Sequence, residues 1–170
     1  MRAWPEPVER VASYLRAAGA EARLEEFAEG TPTAQSAAEA VGCALDQIVK
    51  SLVFLCDGAP VVVLVPGDRR GDPAKVARAV GAEQARVARA AEVEAATGFI
   101  PGAVAPFPLP RVGKVVLERT LLSHPVVWVG AGSTRHMAAL SPTELARLTR
   151  AESHDVVQDH AYDSSETKEP

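Results

Sequence analysis

Two strongly apolar runs near the middle of the chain constrain its fold more than any other feature. Residues 48–56 read IVKSLVFLC, and residues 60–65 read PVVVLV. Both runs are rich in the β-branched and other apolar residues that favour strands. The Asp57-Gly58 pair between them is typical of a tight hairpin turn. The sequence therefore predicts a β-hairpin in the middle of a sheet.

The rest of the chain predicts short helices and strands in no regular alternation. Capping residues, first-turn prolines and terminal glycines mark the ends of helices over residues 5–18, 34–41, 73–80, 91–97 and 142–149. Further strands are predicted over residues 23–27, 86–88, 112–117, 126–129 and 137–140, with a tight turn at 130–133. The pattern favours an α+β domain with about six or seven strands in a mixed sheet, not a doubly wound nucleotide-binding fold.

Length and charge divide the chain into a domain and a tail. With 170 residues and 47% hydrophobic content, it fits one domain with its own core. The net charge is −4, and residues 151–170 hold six acidic side chains and one basic one, so the tail carries −5 and the rest +1. We predict one folded domain over residues 1–150 and a disordered acidic tail over residues 151–170. On this prediction, removal of the tail leaves folding intact.

Several classes of protein and site find no support in the sequence. No apolar run approaches the ~20 residues that a membrane-spanning helix needs, and the N-terminus lacks the apolar core of a signal peptide. Cys43 and Cys56 have no ligand-spaced partner, and no P-loop or dinucleotide-binding motif occurs. We expect a cytoplasmic protein with no membrane contact, no metal and no cofactor.

Lys50 is unusual because it interrupts an apolar strand. Alternation along the strand places it on one face with Ile48 and Leu52, and places Ser51 on the other face. An ammonium group in such a position has to reach water or meet an anion. Two interpretations stay open. Lys50 marks the start or edge of a strand, or it is a fixed positive charge at the rim of a pocket.

Two loops are further candidates for a site. Residues 99–110 read FIPGAVAPFPLP, too rich in proline for a helix, and Gly102 permits a ligand to approach the backbone closely. Residues 130–136 read GAGSTRH, where Ser133 and His136 offer polar groups that can orient an amine or a water. Each loop also has a purely structural interpretation: a rigid cover for the core, and a β-turn with an exposed histidine.

No Ser–His–Asp, Cys–His or metal-ligand set stands out in the sequence. If the protein is a hydrolase, we expect that it has no side-chain nucleophile. Its reaction would then depend on positioning, charge stabilisation and attack by a water or a substrate hydroxyl. The densest basic group comprises Arg69, Arg70, Lys75 and Arg78. These residues are candidates for binding a nucleic acid, or they form a solvated surface.

Three segments together resemble the YbaK/prolyl-tRNA-synthetase-associated domain family. They are DQIVKSLVFLCDGAPVVVLVPGDRR, with a lysine-bearing strand; TGFIPGAVAPF, with a glycine-to-proline loop; and VVWVGAGSTRHMAALSPTELARL, with a closing strand, turn and helix. Their order and spacing fit the family over roughly residues 8–149. The resemblance therefore covers nearly all of the chain outside the tail.

The resemblance implies a fold, a function and partners. Members of the family have a mixed, barrel-like sheet surrounded by short helices. They remove wrongly attached amino acids from tRNA, often tRNA for proline, by hydrolysing the ester to the terminal ribose, and freestanding members act in trans. The implied activity is that of a metal-independent aminoacyl-tRNA deacylase. Its partner is the aminoacylated 3′ end of tRNA, with an aminoacyl-tRNA synthetase as a further candidate.

The resemblance also assigns roles to residues. Lys50 matches the family's key lysine, which holds the phosphate backbone of the tRNA end. Gly102 matches the loop glycine whose backbone contacts the substrate near the scissile carbonyl, so these two are the predicted catalytic residues. A ribose hydroxyl or a water would make the attack. The predicted substrate-binding residues are Phe27, Thr31, Thr33, Pro106, Ser133 and His136.

Departures from the family pattern leave the amino acid and the activity open. Phe27 stands where some relatives have tyrosine, and Met137 lies near a position where some have aspartate. Phe107-Pro108 replaces a common Phe-Gly, and Arg119 stands where an acidic residue is common. Two other function classes therefore remain. One is a non-catalytic module that binds tRNA or a synthetase, and the other is a hydrolase of a different small acyl ester.

Overall fold

The computed structural model describes residues 4–159, which form two β-sheets with short helices around them. The helices are α1 (Glu6–Ala17), α2 (Ala34–Val41), α3 (Pro73–Val80), α4 (Ala90–Thr97) and α5 (Pro142–Thr149). The strands are β1 (Ala22–Glu26), β2 (Val49–Cys56), β3 (Ala59–Pro66), β4 (Ala85–Val87), β5 (Lys114–Glu118), β6 (Val127–Ser133), β7 (His136–Leu140) and β8 (Glu152–His154).

Capping residues explain why the helices begin and end where they do. Thr33 precedes α2, and its hydroxyl accepts the Ser36 amide at 3.0 Å. Asp72 precedes α3 and accepts the Ala74 amide at 2.9 Å. Gly81 ends α3 in the left-handed conformation that glycine adopts readily. The predicted bounds of α2 and α3 are confirmed.

The predicted central hairpin is present in the larger sheet. This five-stranded sheet has the order β4-β2-β3-β5-β8. β2 and β3 pair antiparallel, with Lys50 opposite Val65. β5 then runs parallel to β3, and β8 runs parallel to β5. The mixture of parallel and antiparallel pairs confirms the predicted mixed α+β class.

The barrel-like sheet that the resemblance implies does not close into a true barrel. β1, β7 and β6 form a separate antiparallel sheet in that order. The two sheets meet through one isolated bridge, between Ile48 and Trp128. β2 is already paired with β3 along its length and with β4 at residues 54–56, so only its first residues come near β6. The contact between the sheets therefore does not extend into a ladder that closes a barrel.

The main hydrophobic core takes side chains from both sheets. Val62 and Leu64 of β3 pack in one cluster with Val127 and Val129 of β6, and Leu145 of α5 joins them. All five side chains are buried. Full burial of an aliphatic side chain contributes about 1.5–3 kcal/mol. This cluster fixes the relative position of the two sheets, and with it the cleft between their edges.

The predicted tight turn at residues 130–133 is wrong. These residues continue β6 up to Ser133, with a register shift between Gly130 and Ser133. Other backbone segments approach so closely that side chains do not fit. A Cβ at Gly130 would lie 2.9 Å from the Val104 carbonyl oxygen, and one at Gly132 would lie 2.8 Å from the Pro7 backbone. The glycines therefore serve close packing within a strand.

The prediction that residues 151–170 form a disordered tail is wrong for the part that the structure describes. β8 pairs with β5, and the next residues include two buried valines, Val156 at 0% and Val157 at 2% exposure. The Val156 amide donates to the buried carboxylate of Glu118 at 3.0 Å. Apolar burial and this hydrogen bond offset the acidic composition of the segment. Residues 160–170 of the predicted tail lie outside the described residues.

None of the helices within residues 4–159 has both the length and the apolar character needed to cross a membrane.

Candidate active site

A cleft of about 330 Å³ lies where the start of β2, the segment before α2, the loop after α4 and the β6–β7 hairpin come together. Six of the eight predicted site residues line it: Lys50, Gly102, Thr31, Thr33, Ser133 and His136. The other two, Phe27 and Pro106, do not. Most of the residues selected from the sequence therefore meet in one place.

Lys50 lies in the wall of this cleft and is partly buried. Its Nζ donates a hydrogen bond to the Arg69 carbonyl oxygen at 2.6 Å. Burial lowers the pKa of the ammonium group, and the nearby Arg70 lowers the pKa further, while Asp68 raises it. An ammonium has three N–H donors, so this bond leaves donors for a ligand in the cleft. The geometry matches the interpretation of Lys50 as a positive charge at the rim of a pocket.

Gly102 stands at the mouth of the cleft and is exposed. Its φ of +87° is one that side-chain-bearing residues rarely adopt, whereas a Cβ built on it meets no atom within 4 Å. Glycine is therefore required here for backbone conformation and not for space. The turn is closed by the Ala103 amide, which donates to the Ile100 carbonyl at 3.0 Å. A ligand can approach this backbone without meeting a side chain.

Ser133 and His136 face each other at the two ends of the β6–β7 turn. The serine Oγ and the histidine Nδ1 lie 2.6 Å apart, and Oγ also accepts the Arg135 amide at 2.9 Å. His136 is 2% exposed and packs edge-on against Trp4, with ring centroids 5.2 Å apart. The Glu26 carboxylate is 3.9 Å from Nε2. The alternative of an exposed turn histidine is wrong, because the ring is held on several sides.

Thr31 and Thr33 also line the cleft, and each has a structural role as well. The Thr31 hydroxyl donates to the Thr134 carbonyl at 3.2 Å, which ties this segment to the β6–β7 turn. Thr33 is the N-cap of α2. Ala34 and Ala37 of α2 continue the wall with small side chains. The threonines therefore shape the cleft by holding the start of α2 in place.

Phe27 and Pro106 lie away from the cleft. Phe27 packs edge-on against Trp128, with ring centroids 6.3 Å apart, within the cluster that supports α2. Pro106 is buried, and the next residue, Phe107, stacks on Tyr14 with centroids 5.5 Å apart. Pro106 thus lies on the core side of the loop that carries Gly102. Both residues pack beside the walls of the cleft, and their predicted role in substrate binding stays a prediction.

Ser51 lines the cleft and was not selected from the sequence. Strand alternation predicts that Ser51 and Lys50 point to opposite faces. Both nevertheless line the cleft, which lies at the first half of β2, away from residues 54–56 where β4 pairs. The Ser51 hydroxyl is buried without a hydrogen-bond partner among the described residues. A buried hydroxyl in that state suits a polar group of a ligand.

The basic group predicted from the sequence, Arg69, Arg70, Lys75 and Arg78, is only partly available to a ligand. Lys75 forms ion pairs with Asp155 at 3.1 Å and Asp159 at 2.8 Å. The Arg69 guanidinium donates to the Gln158 carbonyl. These two cations therefore bind the C-terminal part of the chain, while Arg70 is exposed beside Lys50.

Within residues 4–159, no three His, Cys, Asp or Glu side chains are grouped as they would be around a metal ion.

Sequence comparison identifies relatives over most of the chain. The profile of the aminoacyl-tRNA editing domain family matches residues 28–148. The chain is 33% identical over 127 residues to the uncharacterized protein YwhH of Bacillus subtilis, covering 74% of this chain and 80% of YwhH. It is 28% identical over 127 residues to EbsC of Enterococcus faecalis, named as a proposed Cys-tRNA(Pro)/Cys-tRNA(Cys) deacylase, covering 74% and 77%.

Larger proteins and solved structures are similar as well. A proline–tRNA ligase of Nitratidesulfovibrio vulgaris is 32% identical over 120 residues, which are 70% of this chain and only 21% of the ligase. A solved structure described as a proposed trans-editing enzyme for prolyl-tRNA synthetase superposes with a TM-score of 0.85 at 35% identity, covering 92% of this chain and 99% of the other. With a profile match over most of its length and a shared fold, the chain belongs to the aminoacyl-tRNA editing domain family.

Proposed function

We propose that this protein is a trans-acting deacylase that hydrolyses the ester of a mischarged tRNA. The observation that carries the proposal is the joint presence of Lys50 and Gly102 in one cleft of about 330 Å³. A partly buried ammonium group beside an open backbone turn can hold a phosphate and leave the reacting carbonyl near backbone atoms. Relatives named for tRNA deacylation or trans-editing support the same reaction.

The two predicted catalytic residues of the cleft have distinct roles in this proposal. The Lys50 ammonium binds a phosphate of the tRNA 3′ end and so positions the ester. The backbone at Gly102 lies against the reacting carbonyl. Its φ of +87° requires glycine, so no side chain stands between this backbone and the ligand. The attack comes from a neighbouring ribose hydroxyl or a water. Catalysis of this kind depends on positioning and charge stabilisation rather than on a protein nucleophile.

The proposed substrate is tRNA for proline that carries a small wrong amino acid. The cleft volume of about 330 Å³ is near the lower end of ligand pockets, which span about 300–1,000 Å³. Alanine side chains of α2 and the buried Met137 line it, which suits a small, weakly polar side chain. Relatives that are proline–tRNA ligases or are named for Cys-tRNA(Pro) favour this tRNA.

The test is hydrolysis of tRNA for proline charged with alanine, cysteine or serine. We expect the wild type to release one of these amino acids rapidly. Lys50→Ala should lower the rate by about 10²–10³-fold, the scale seen when one electrostatic stabiliser is removed. Lys114→Ala is the matched control, because it also removes a lysine but one that does not line the cleft. It should retain most of the rate.

Two outcomes would contradict the proposal. Equal rates for the wild type and Lys50→Ala would remove Lys50 from the reaction. Tight tRNA binding without release of any amino acid would instead favour the non-catalytic module. The site of action in the cytoplasm, the participation of a synthetase and independence from metal remain predictions from the sequence.

A further inference from the structure

The loop that holds Lys50 is itself held by the C-terminal part of the described chain. The loop spans residues 67–72 between β3 and α3, and we call it the β3–α3 loop. Residues 155–158, which follow β8, form the segment that we call the C-terminal strap. The Arg69 carbonyl of the β3–α3 loop accepts the hydrogen bond from Lys50 Nζ at 2.6 Å. The position of this carbonyl therefore bears directly on the position of the ammonium group.

The strap pairs with the loop through the backbone. The Asp72 amide donates to the Val156 carbonyl at 2.8 Å, and the Gln158 amide donates to the Arg70 carbonyl at 2.8 Å. The two bonds flank an antiparallel β-bridge. The strap thus acts as a short extra strand along the loop, and the residues on the C-terminal side of Arg69 are fixed.

Side chains add to this pairing. Lys75, at the start of α3, donates to the Val157 carbonyl at 2.8 Å and also binds Asp155 and Asp159. The Lys75 side chain is 17% exposed, but Asp155 and Asp159 are 42% and 81% exposed, so the two ion pairs are open to water. The hydrogen bond to the Val157 carbonyl is partly buried, and bonds from a charged donor are stronger than those between neutral groups. Lys75 is therefore a clamp between α3 and the strap.

The strap has a firm support on its other side. Val156 and Val157 are buried in the cluster beneath the larger sheet, together with Val65 and Val116. Since the strap is anchored in the core, it can hold the loop in one position. The chain of contacts runs from the core through the strap and the loop carbonyl to the ammonium of Lys50.

We propose that the C-terminal strap, clamped by Lys75, is a positioning element that sets the orientation of Lys50 in the cleft. The strap does not line the cleft, so it acts through Arg69 and does not touch a substrate. The catalytic consequence rests on the proposed deacylase function, whereas the orientation of Lys50 can be measured without any tRNA.

The test uses the full chain with Lys75→Met, which keeps most of the length of the side chain and removes its bonds to the strap. Lys75→Arg is the conservative rescue. Lys114→Met is the matched control, because Lys114 also pairs with the C-terminal segment, through Glu152 at 3.8 Å, but does not contact the loop. Gln158→Pro removes the amide that donates to the Arg70 carbonyl, and its ring also restricts the backbone at Val157. Two readouts are taken: the rate at which acetic anhydride labels Lys50 in the absence of tRNA, and kcat and KM for the mischarged tRNA.

We expect acetic anhydride to label Lys50 severalfold faster in Lys75→Met and Gln158→Pro than in the wild type. Their kcat should fall by about 10–100-fold, the scale of a misplacement near 1 Å, with a smaller change in KM. Lys75→Arg should restore both readouts, and Lys114→Met should match the wild type.

Unchanged labelling in the folded variants would overturn the proposal, as would an equal effect of Lys114→Met. If Lys75→Met does not fold, Gln158→Pro decides. If the wild type hydrolyses no tRNA, the labelling result decides the role of the strap, and only the proposed function fails.

Discussion

Lys50 is a charged group in a place that disfavours charge. Burial is the main reason that its pKa lies below the ordinary value, Arg70 lowers the pKa further, and Asp68 opposes both effects. The protonated form is the one that binds phosphate. Turnover should therefore be lost as the pH rises through the lowered pKa, which lies below the ordinary lysine value of about 10.4.

Removal of either charged neighbour of Lys50 should shift the pH at which turnover is lost, and the two shifts should have opposite directions. Arg70→Gln removes a positive charge that lowers the Lys50 pKa, so the alkaline limb of kcat should shift to higher pH. Asp68→Asn removes a negative charge that raises the pKa, so the limb should shift to lower pH. The measurement is kcat against pH at saturating tRNA, after subtraction of the uncatalysed rate. Shifts in the same direction, or none, would contradict the role of the Lys50 charge.

The sequence predicted part of the site because some residues stand out in their local pattern. Lys50 interrupts an apolar strand and Gly102 lies in a proline-rich loop, so the pattern makes both residues candidates, but their catalytic roles come from the resemblance to the family. Ser51 is not distinguished in this way, because strand alternation places it on the face opposite Lys50 and does not show that both residues line the cleft. The burial of His136 depends on Trp4, which is distant in sequence. Such contacts are set by tertiary structure.

At the level of elements, the segment after α5 has the largest consequence for stability. Deletion of residues 151–170 removes β8 together with the buried Val156 and Val157. At about 1.5–3 kcal/mol for each valine, the free energy of unfolding should fall by about 3–6 kcal/mol. Denaturant unfolding followed by circular dichroism measures this loss. Deletion of residues 160–170 alone keeps both valines and is the control. Equal stability of the wild type and the longer deletion would show that the strap does not belong to the folded domain.

Elements with capping residues or apolar runs could be predicted from the sequence, and the others could not. α2 and α3 were predicted with their bounds because Thr33 and Asp72 mark their starts and glycines mark their ends. β8 has only three residues, Glu-Ser-His, and shows no apolar alternation. It forms because β5 offers an edge and the following valines have a place in the core. Strand formation there is decided by the partner and not by the strand itself.

The whole molecule is one arrangement of two sheets with the cleft where their edges meet. The same fold covers 99% of a solved chain of similar size, whereas the sequence similarity to a proline–tRNA ligase covers only 21% of the ligase. The shared core between the sheets and the strap behind Lys50 together hold the cleft in place. If the proposed function holds, the 170-residue chain alone should hydrolyse mischarged tRNA with no synthetase present.

The most direct measurement is single-turnover hydrolysis of mischarged tRNA for proline with the isolated protein in excess, with tRNA binding measured in parallel. The wild type should release the amino acid at a rate far above the spontaneous one. Lys50→Ala, at concentrations that bind the same fraction of tRNA, should release it at least about 10²-fold more slowly. If Lys50→Ala at equal binding hydrolyses the ester as fast as the wild type, or if neither exceeds the spontaneous rate, the cleft around Lys50 and Gly102 is not a deacylase site.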